Sequence, residues 1–276
     1  MPRFFLNMWF RLACVLLFLA APALAQRAPV LEEKPDQLRR YTECMVLARS
    51  NPLRALPVAE KWMAETRTLG ARHCVAVAMF EAGRHVQAAA QFEAIARDMG
   101  ADRPGLRAEL WAQAGTAWME AGDADKAAAA QSRAIELKPE DADLWVDRGL
   151  SHAAQLAWPR AIADFDRAQQ LRPNDVEILI LRSAAWRNAR DPARALADAQ
   201  RALGLAPDHS EALLERGFAY LARGDKVAAG NDFTRVLRLV PPGSNAAQRA
   251  EAGMRGDLPA PLPAVQPPAQ PAPPKR

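Results

Sequence analysis

Metal binding and proton transfer need histidine, cysteine or paired carboxylates at fixed spacings, and this sequence offers few such sets. Its histidines are His73, His85, His152 and His209, and its cysteines are Cys14, Cys44 and Cys74. His73-Cys74 with His85 and Cys44 has the ligand types of a zinc site, but the intervals fit no common finger, so no metal is expected. The sequence contains no HExxH, no GxSxG, no Walker loop and no Rossmann glycine set. The expectation is therefore no catalytic residue, no cofactor and no small-molecule substrate.

The chemistry that the spacing does support is the pairing of charges. Arg148, Arg182 and Arg216 are equally spaced, and Asp164, Asp198 and Asp232 follow them at one constant offset. One interval upstream, the equivalent residues are Ala114 and Ala130, so both charges are lost together. Joint loss is what a mutual pair predicts, because removing one member of a buried pair strands the other at a cost of about 3–5 kcal/mol. Arg148–Asp164, Arg182–Asp198 and Arg216–Asp232 are read as structural ion pairs, within one unit or between neighbours.

A repeat must position these charges. Pro139, Pro173, Pro207 and Pro241 keep the same interval as the arginines, and superposing 108–141, 142–175, 176–209 and 210–243 aligns further columns. Trp111, Trp145, Leu179 and Leu213 share one; Gly115, Gly149, Ser183 and Gly217 share a column of small residues. Trp118, His152, Trp186 and Tyr220 form a column of rings, in which His152 is read as a packing residue. Ala127, Ala161, Ala195 and Ala229 form a fourth, and Ala134, Ala168, Ala202 and Val236 a fifth. Offsets of four then three, as from Trp145 to Gly149 to His152, lie on one helical face. A small residue lets a second helix approach, and the proline cannot continue the helix before it. Each unit is thus an antiparallel helix pair.

This pattern resembles the tetratricopeptide repeat, whose period is 34 and whose order is Trp, Leu-Gly, Tyr, Ala, Phe, Pro. Trp145, Gly149, Ala161, Phe165, Ala168 and Pro173 match it, as do Gly217, Tyr220, Gly224, Ala229, Phe233 and Pro241. His152, Ser183 and Ala199 depart from it. The resemblance implies an all-α fold, a right-handed superhelical solenoid of helix pairs with four clear repeats. Aligning Gly83 with Gly122 and Gly224 adds a degenerate unit at 69–102, followed by an insertion at 101–107; Pro52, in phase with Pro159, marks another unit at 35–68, kinked near Pro57. Residues 35–107 thus hold the degenerate repeats, 108–243 the clear ones and 244–256 a capping helix.

In that phasing Cys44 and Cys74 lie on the first helices of adjacent units, about one turn apart, and are predicted to form a disulfide. The resemblance also implies that the inner stripe of each first helix lines a groove for peptides or proteins. Here that stripe reads Asp143, Val146, Asp147 and Leu150, then Glu177, Ile180 and Leu181, then Glu211, Leu214, Glu215 and Phe218. It is an apolar floor with carboxylates near one end, suited to an apolar segment with a basic flank, and Phe218 is its expected hot spot.

The ends of the chain differ from the array. Arg3 and Arg11 flank an apolar start, Leu12 to Ala21 is apolar, and Ala23-Leu24-Ala25 precedes Gln26. Residues 1–25 read as a cleavable signal peptide cut between Ala25 and Gln26, rather than a retained anchor, with a linker at 26–34. The expected address is outside the cytoplasm, the periplasm if the source is bacterial. Residues 257–276 form a proline-rich tail, with eight of the 22 prolines in the last 18 positions, expected to be disordered and extended. The net charge of +4, or +2 without the leader's arginines, is interleaved along the chain, so no nucleic-acid face is expected. The expected function is an exported protein-interaction scaffold, with cell-envelope assembly as a candidate setting and the partner unidentified. A client-specific chaperone or regulatory subunit, and a self-associating structural protein, are the alternatives.

Overall fold

The computed structural model describes residues 34–258, and the described residues form thirteen α-helices and no strand. In chain order these are α1 (Pro35–Ser50), α2 (Pro52–Thr66), α3 (Leu69–Glu81), α4 (His85–Asp98), α5 (Pro104–Glu120), α6 (Ala124–Leu137), α7 (Ala142–Ala154), α8 (Trp158–Leu171), α9 (Val176–Asn188), α10 (Pro192–Leu205), α11 (Ser210–Ala222), α12 (Lys226–Leu239) and α13 (Asn245–Arg255). None is long and apolar enough to cross a membrane. The signal-peptide reading of 1–25 and the proline-rich stretch from Pro259 onward lie outside the described residues.

Local chemistry sets the helix ends. Asp123, Asp141, Asp175, Asp191 and Asp225 each accept a backbone N–H bond from the first turn that follows, satisfying a donor the helix cannot. Pro104 opens α5, so residues 104–107 belong to a helix rather than to the insertion expected at 101–107. The reason is that proline at the first helical position is already set to the helical φ. Helix α2 runs on through Pro57 to Thr66. Asn51 joins α1 to α2 at φ −153°, whereas between the two helices of each of the five pairs from α3 to α12 the chain turns through a left-handed residue. That slot is Gly83, Gly122 and Gly224 in three pairs, but Leu156 (φ 58°) and Arg190 (φ 65°) in the other two. A side chain there costs about 1–2 kcal/mol, so two of the five turns hold strain that the surrounding helices must offset.

Each helix packs on its successor, and first helices also meet the first helices of adjacent pairs. The column of small residues governs how close the members of a pair lie. A Cβ on Gly149 would sit 2.5 Å from Phe165 Cε1, and one on Gly217 would sit 2.5 Å from Phe233 Cε1. In the pair α9–α10 both columns change at once: Ser183 replaces the glycine and Ala199 the phenylalanine, and Ser183 Oγ donates to Ala195 O at 2.8 Å. The two departures from the repeat pattern compensate one another. Phe165, Phe218 and Phe233 are fully buried, as are Ile95, Leu110, Ile178, Leu179, Leu213 and Leu214.

Two sets of cross-links tie the stack. Cys44 of α1 and Cys74 of α3 form a disulfide with Cα atoms 6.2 Å apart. The arginine column meets the aspartate column: Arg148 Nη2 to Asp164 Oδ1 is 2.7 Å, Arg182 Nη2 to Asp198 Oδ1 is 2.6 Å, and Arg216 Nη2 to Asp232 Oδ1 is 2.6 Å. The aspartates are buried and their arginines half-buried. Two arginines reach further than one unit. Arg148 Nη1 donates to Ser132 Oγ at 3.1 Å, and Arg182 Nη1 to Asp166 Oδ1 at 2.9 Å, each on the second helix of the preceding pair. His152, read from sequence as a packing residue, also places Nδ1 2.9 Å from Asp164 Oδ2. Burial pushes the Asp164 carboxyl up, but the bonds from His152 and Arg148 outweigh it and leave it below the ordinary range.

Removing either member of a buried pair should be costly. Arg182→Ala and Asp198→Ala are each expected to destabilise by about 3 kcal/mol in urea unfolding, with a double variant well short of their sum. Two destabilisations that add fully would show the groups acting independently. Blocking the bridge as C44S/C74S should cost about 3.6 kcal/mol for a loop of this length. In the untreated protein neither cysteine should be alkylated until it is reduced.

Candidate functional site

At 100° per residue, the sides of helix α7 can be assigned from its contacts. Gly149 faces Phe165 of α8. Leu144 packs with Ala112, Ala134 and Ile135 of the preceding pair, and Ser151 Oγ donates to Gln131 Oε1 there at 2.7 Å. Val146, Leu150 and Ala153 pack toward Leu181, Ala185 and Trp186 of the following pair. The side left over, about 160° from Gly149 on this geometry, carries Asp147, with Asp143 and Ala154 beside it. This is the inner stripe, and its members recur at the same position of each first helix: Cys74, Gln113, Asp147, Leu181 and Glu215.

The stripe is not uniform along the array. Asp143 is exposed and accepts from Arg172 Nη2 at 2.6 Å, and Glu177 is exposed with Oε1 3.0 Å from His209 Nε2. Val146, Asp147, Leu150 and Leu181 are half-buried, and Ile180 is buried among Leu179, Leu213 and Leu214. At the last pair the expected groove is closed. Leu214, Glu215 and Phe218 are buried, with 0%, 3% and 1% of their surface exposed, so they floor no open cleft and Phe218 is no contact hot spot. Leu214 and Phe218 pack in one apolar cluster with Leu179, Leu213 and Ala250, and two arginines cover Glu215 and the ring. Arg187 of α9 donates from Nε to Glu215 Oε2 at 3.0 Å, and Arg249 of α13 reaches Glu215 Oε1 at 3.2 Å and Glu211 Oε2 at 2.6 Å. Both guanidinium groups lie over the Phe218 ring, at 5.5 and 5.8 Å from its centroid. Arg249 follows Glu215 by one repeat interval, so carrying the phase into α13 would have exposed this contact. A hollow lined by Arg40, Glu43, Cys44, Leu47, Val58 and Trp62 belongs to the first helix pair, α1–α2.

Two ionisable groups of the stripe region are set apart by burial. His73 is 1% exposed, between Tyr41 Oη at 2.9 Å and Gln113 Oε1 at 2.8 Å, and burial lowers its pKa to about 4. Both of its ring nitrogens are thereby engaged within the protein. Asp147 is the reverse. Its Oδ2 is sealed from solvent and accepts no hydrogen bond. Burial, with Asp143 and Asp141 adding repulsion, raises its pKa to about 7.

Comparison with known proteins agrees with this architecture. Residues 107–176 and 184–244 match the tetratricopeptide repeat family. The C-terminal part of a repeat protein from Cytophaga hutchinsonii superposes with a TM-score of 0.62 at 16% identity, over 83% of this chain and 96% of that one. YrrB, described as a tetratricopeptide protein with an unusual peptide-binding site, gives a TM-score of 0.54 at 17% identity, over 70% and 97%. MamA from Desulfovibrio magneticus gives 0.56 at 19% identity, over 62% and 94%. No curated protein matches the sequence. The chain is a tetratricopeptide-repeat protein, with the all-α solenoid fold of that family.

The two shifted groups act on stability in opposite directions. Asp147 keeps its proton in the folded state after the unfolded chain has lost its own, so its contribution declines as pH rises from about 4 through about 7. His73 stays neutral when folded, so its contribution is lost as pH falls from 6.5 toward about 4. Asp147→Asn should therefore melt well above the native chain at pH 8, by less at pH 5, and level with it only below about pH 4. A gain of about 2–4 °C corresponds to 1 kcal/mol in a chain of this size. Equal shifts at both pH values would show that Asp147 is not a desolvated carboxylate.

Proposed function

We propose that this tetratricopeptide-repeat protein is an exported interaction scaffold that holds a protein or peptide partner along the inner stripe of α7 and α9. The observation that carries the reading is the contrast along the stripe. Its last pair is covered by the chain's own Arg187 and Arg249, whereas Val146, Leu150 and Leu181 keep accessible apolar surface beside an unsatisfied carboxylate. A partner segment that lays apolar side chains on that surface removes it from water, at roughly 25 cal/mol per Å². That YrrB is described as having a peptide-binding site supports the same use of this fold.

Export is part of the proposal. Its support is the leader-like pattern of residues 1–25 and the Cys44–Cys74 disulfide, a bond that persists in oxidising compartments. In a bacterium the address is the periplasm, where a scaffold of this kind fits envelope assembly.

Crosslinking in the native compartment, followed by mass spectrometry, identifies the partner. Leu150→Asp and Leu181→Asp are each expected to cut its capture at least tenfold, with helical circular dichroism retained and L150A as a milder companion. Capture that survives all three in folded protein would move the site off this stripe. Sedimentation that depends on concentration would instead favour self-association.

A further inference from the structure

The repeat frame supplies an internal comparison for Asp147. Glu215 occupies the same inner position two units later, and there the buried acid is fully paired. One of its cations, Arg187, lies 28 residues before it, and the other, Arg249, lies 34 residues after it. The same two offsets from Asp147 fall on Met119 and Leu181, both apolar and half-buried. The chain has therefore built one position twice, once with its counter-charges and once with their places taken by aliphatic side chains. A carboxylate without a partner is expensive to bury, and a neutral residue would serve packing better.

We infer that Asp147 is the anchor for an arginine of the partner segment, whose guanidinium supplies the cation that Arg187 and Arg249 give to Glu215. This rests on the groove reading above and names its chemistry. Asp147 retains some exposed surface although its Oδ2 is sealed, so an incoming donor meets the accessible part of the carboxyl first. Rotation about the broad terminal torsion of aspartate then exchanges its two oxygens. Leu150, one turn along α7, and the aliphatic side chains of Met119 and Leu181 offer surface for the arginine's methylene stem. The planar guanidinium suits a half-buried carboxylate better than a strongly hydrated ammonium does. The acidic neighbours favour a cation further, since Asp141 caps α7 and Asp143 lies one turn before Asp147. Asp143 is already paired with Arg172, which leaves Asp147 as the stripe residue with an unbonded buried oxygen among the described residues.

The test uses the full chain and two labelled peptide pools, N-acetylated and C-amidated. Both have leucine flanks and a randomised remainder; one has arginine at its centre and the other citrulline, its neutral isostere. Fluorescence anisotropy should show the arginine pool binding at least tenfold tighter than the citrulline pool. Asp147→Asn, confirmed as folded by its melt, should bind both pools at the citrulline level, whereas Leu150→Asp should lose both. If D147N keeps the arginine preference, or the native chain shows none while L150D still abolishes binding, the anchor is wrong and the groove stands. If neither pool binds the native chain, the anchor is wrong as well, and partner capture by the L150D variant then decides the groove separately.

Discussion

A single helix pair of this chain cannot bury its own apolar surface, and every other feature follows from that constraint. Leu144 is covered only because α5 and α6 precede it, and Val146 and Leu150 are covered in part only because α9 follows. Stability is therefore shared between the pairs and the contacts joining them, as in any array in which each unit touches only its neighbours. The close approach that makes this possible is set by the small-residue column, where Phe165 and Phe233 lie against bare glycine backbone. Where phenylalanine gives way to Ala199, the need for glycine relaxes and Ser183 is accepted.

The arginine ladder adds direction to this packing. A guanidinium has several donors in a fixed plane, so Arg182 can hold Asp198 of its own pair and Asp166 of the preceding pair together. The same residue type then serves a different end at the last repeat. Arg187 and Arg249 fill the inner stripe, sit on Phe218 and satisfy Glu215, so the array ends in a sealed face rather than a continuing groove. The interior of the array has the opposite character, with Asp147 left unpaired and aliphatic neighbours half-covered. On the proposed function the partner's surface is this middle part, and the stability lost there is the kind that binding sites commonly carry.

What the sequence alone determined is what the period repeats. The helix pairs, the glycine and phenylalanine columns and the constant offset from arginine to aspartate are local patterns written several times over. Repetition made each readable from any one copy. The structure joins the arginines and aspartates in that register, and Cys44 with Cys74, because adjacent first helices bring equivalent turns side by side. What only the tertiary structure decided is what differs between copies. Leu214, Glu215 and Phe218 match the groove pattern as well as Val146, Asp147 and Leu150 do, yet α13 and Arg187 bury them. Leu156 and Arg190 take left-handed turns that their residue types disfavour, because the helices on either side fix the path. Asp147 Oδ2 goes without a partner although Glu215, at the same position two units on, has two, and which side chains reach each acid is decided only when the pairs stack. Burial and pairing are properties of the neighbours a residue acquires, and in a repeat protein the neighbours change from one copy to the next while the pattern does not.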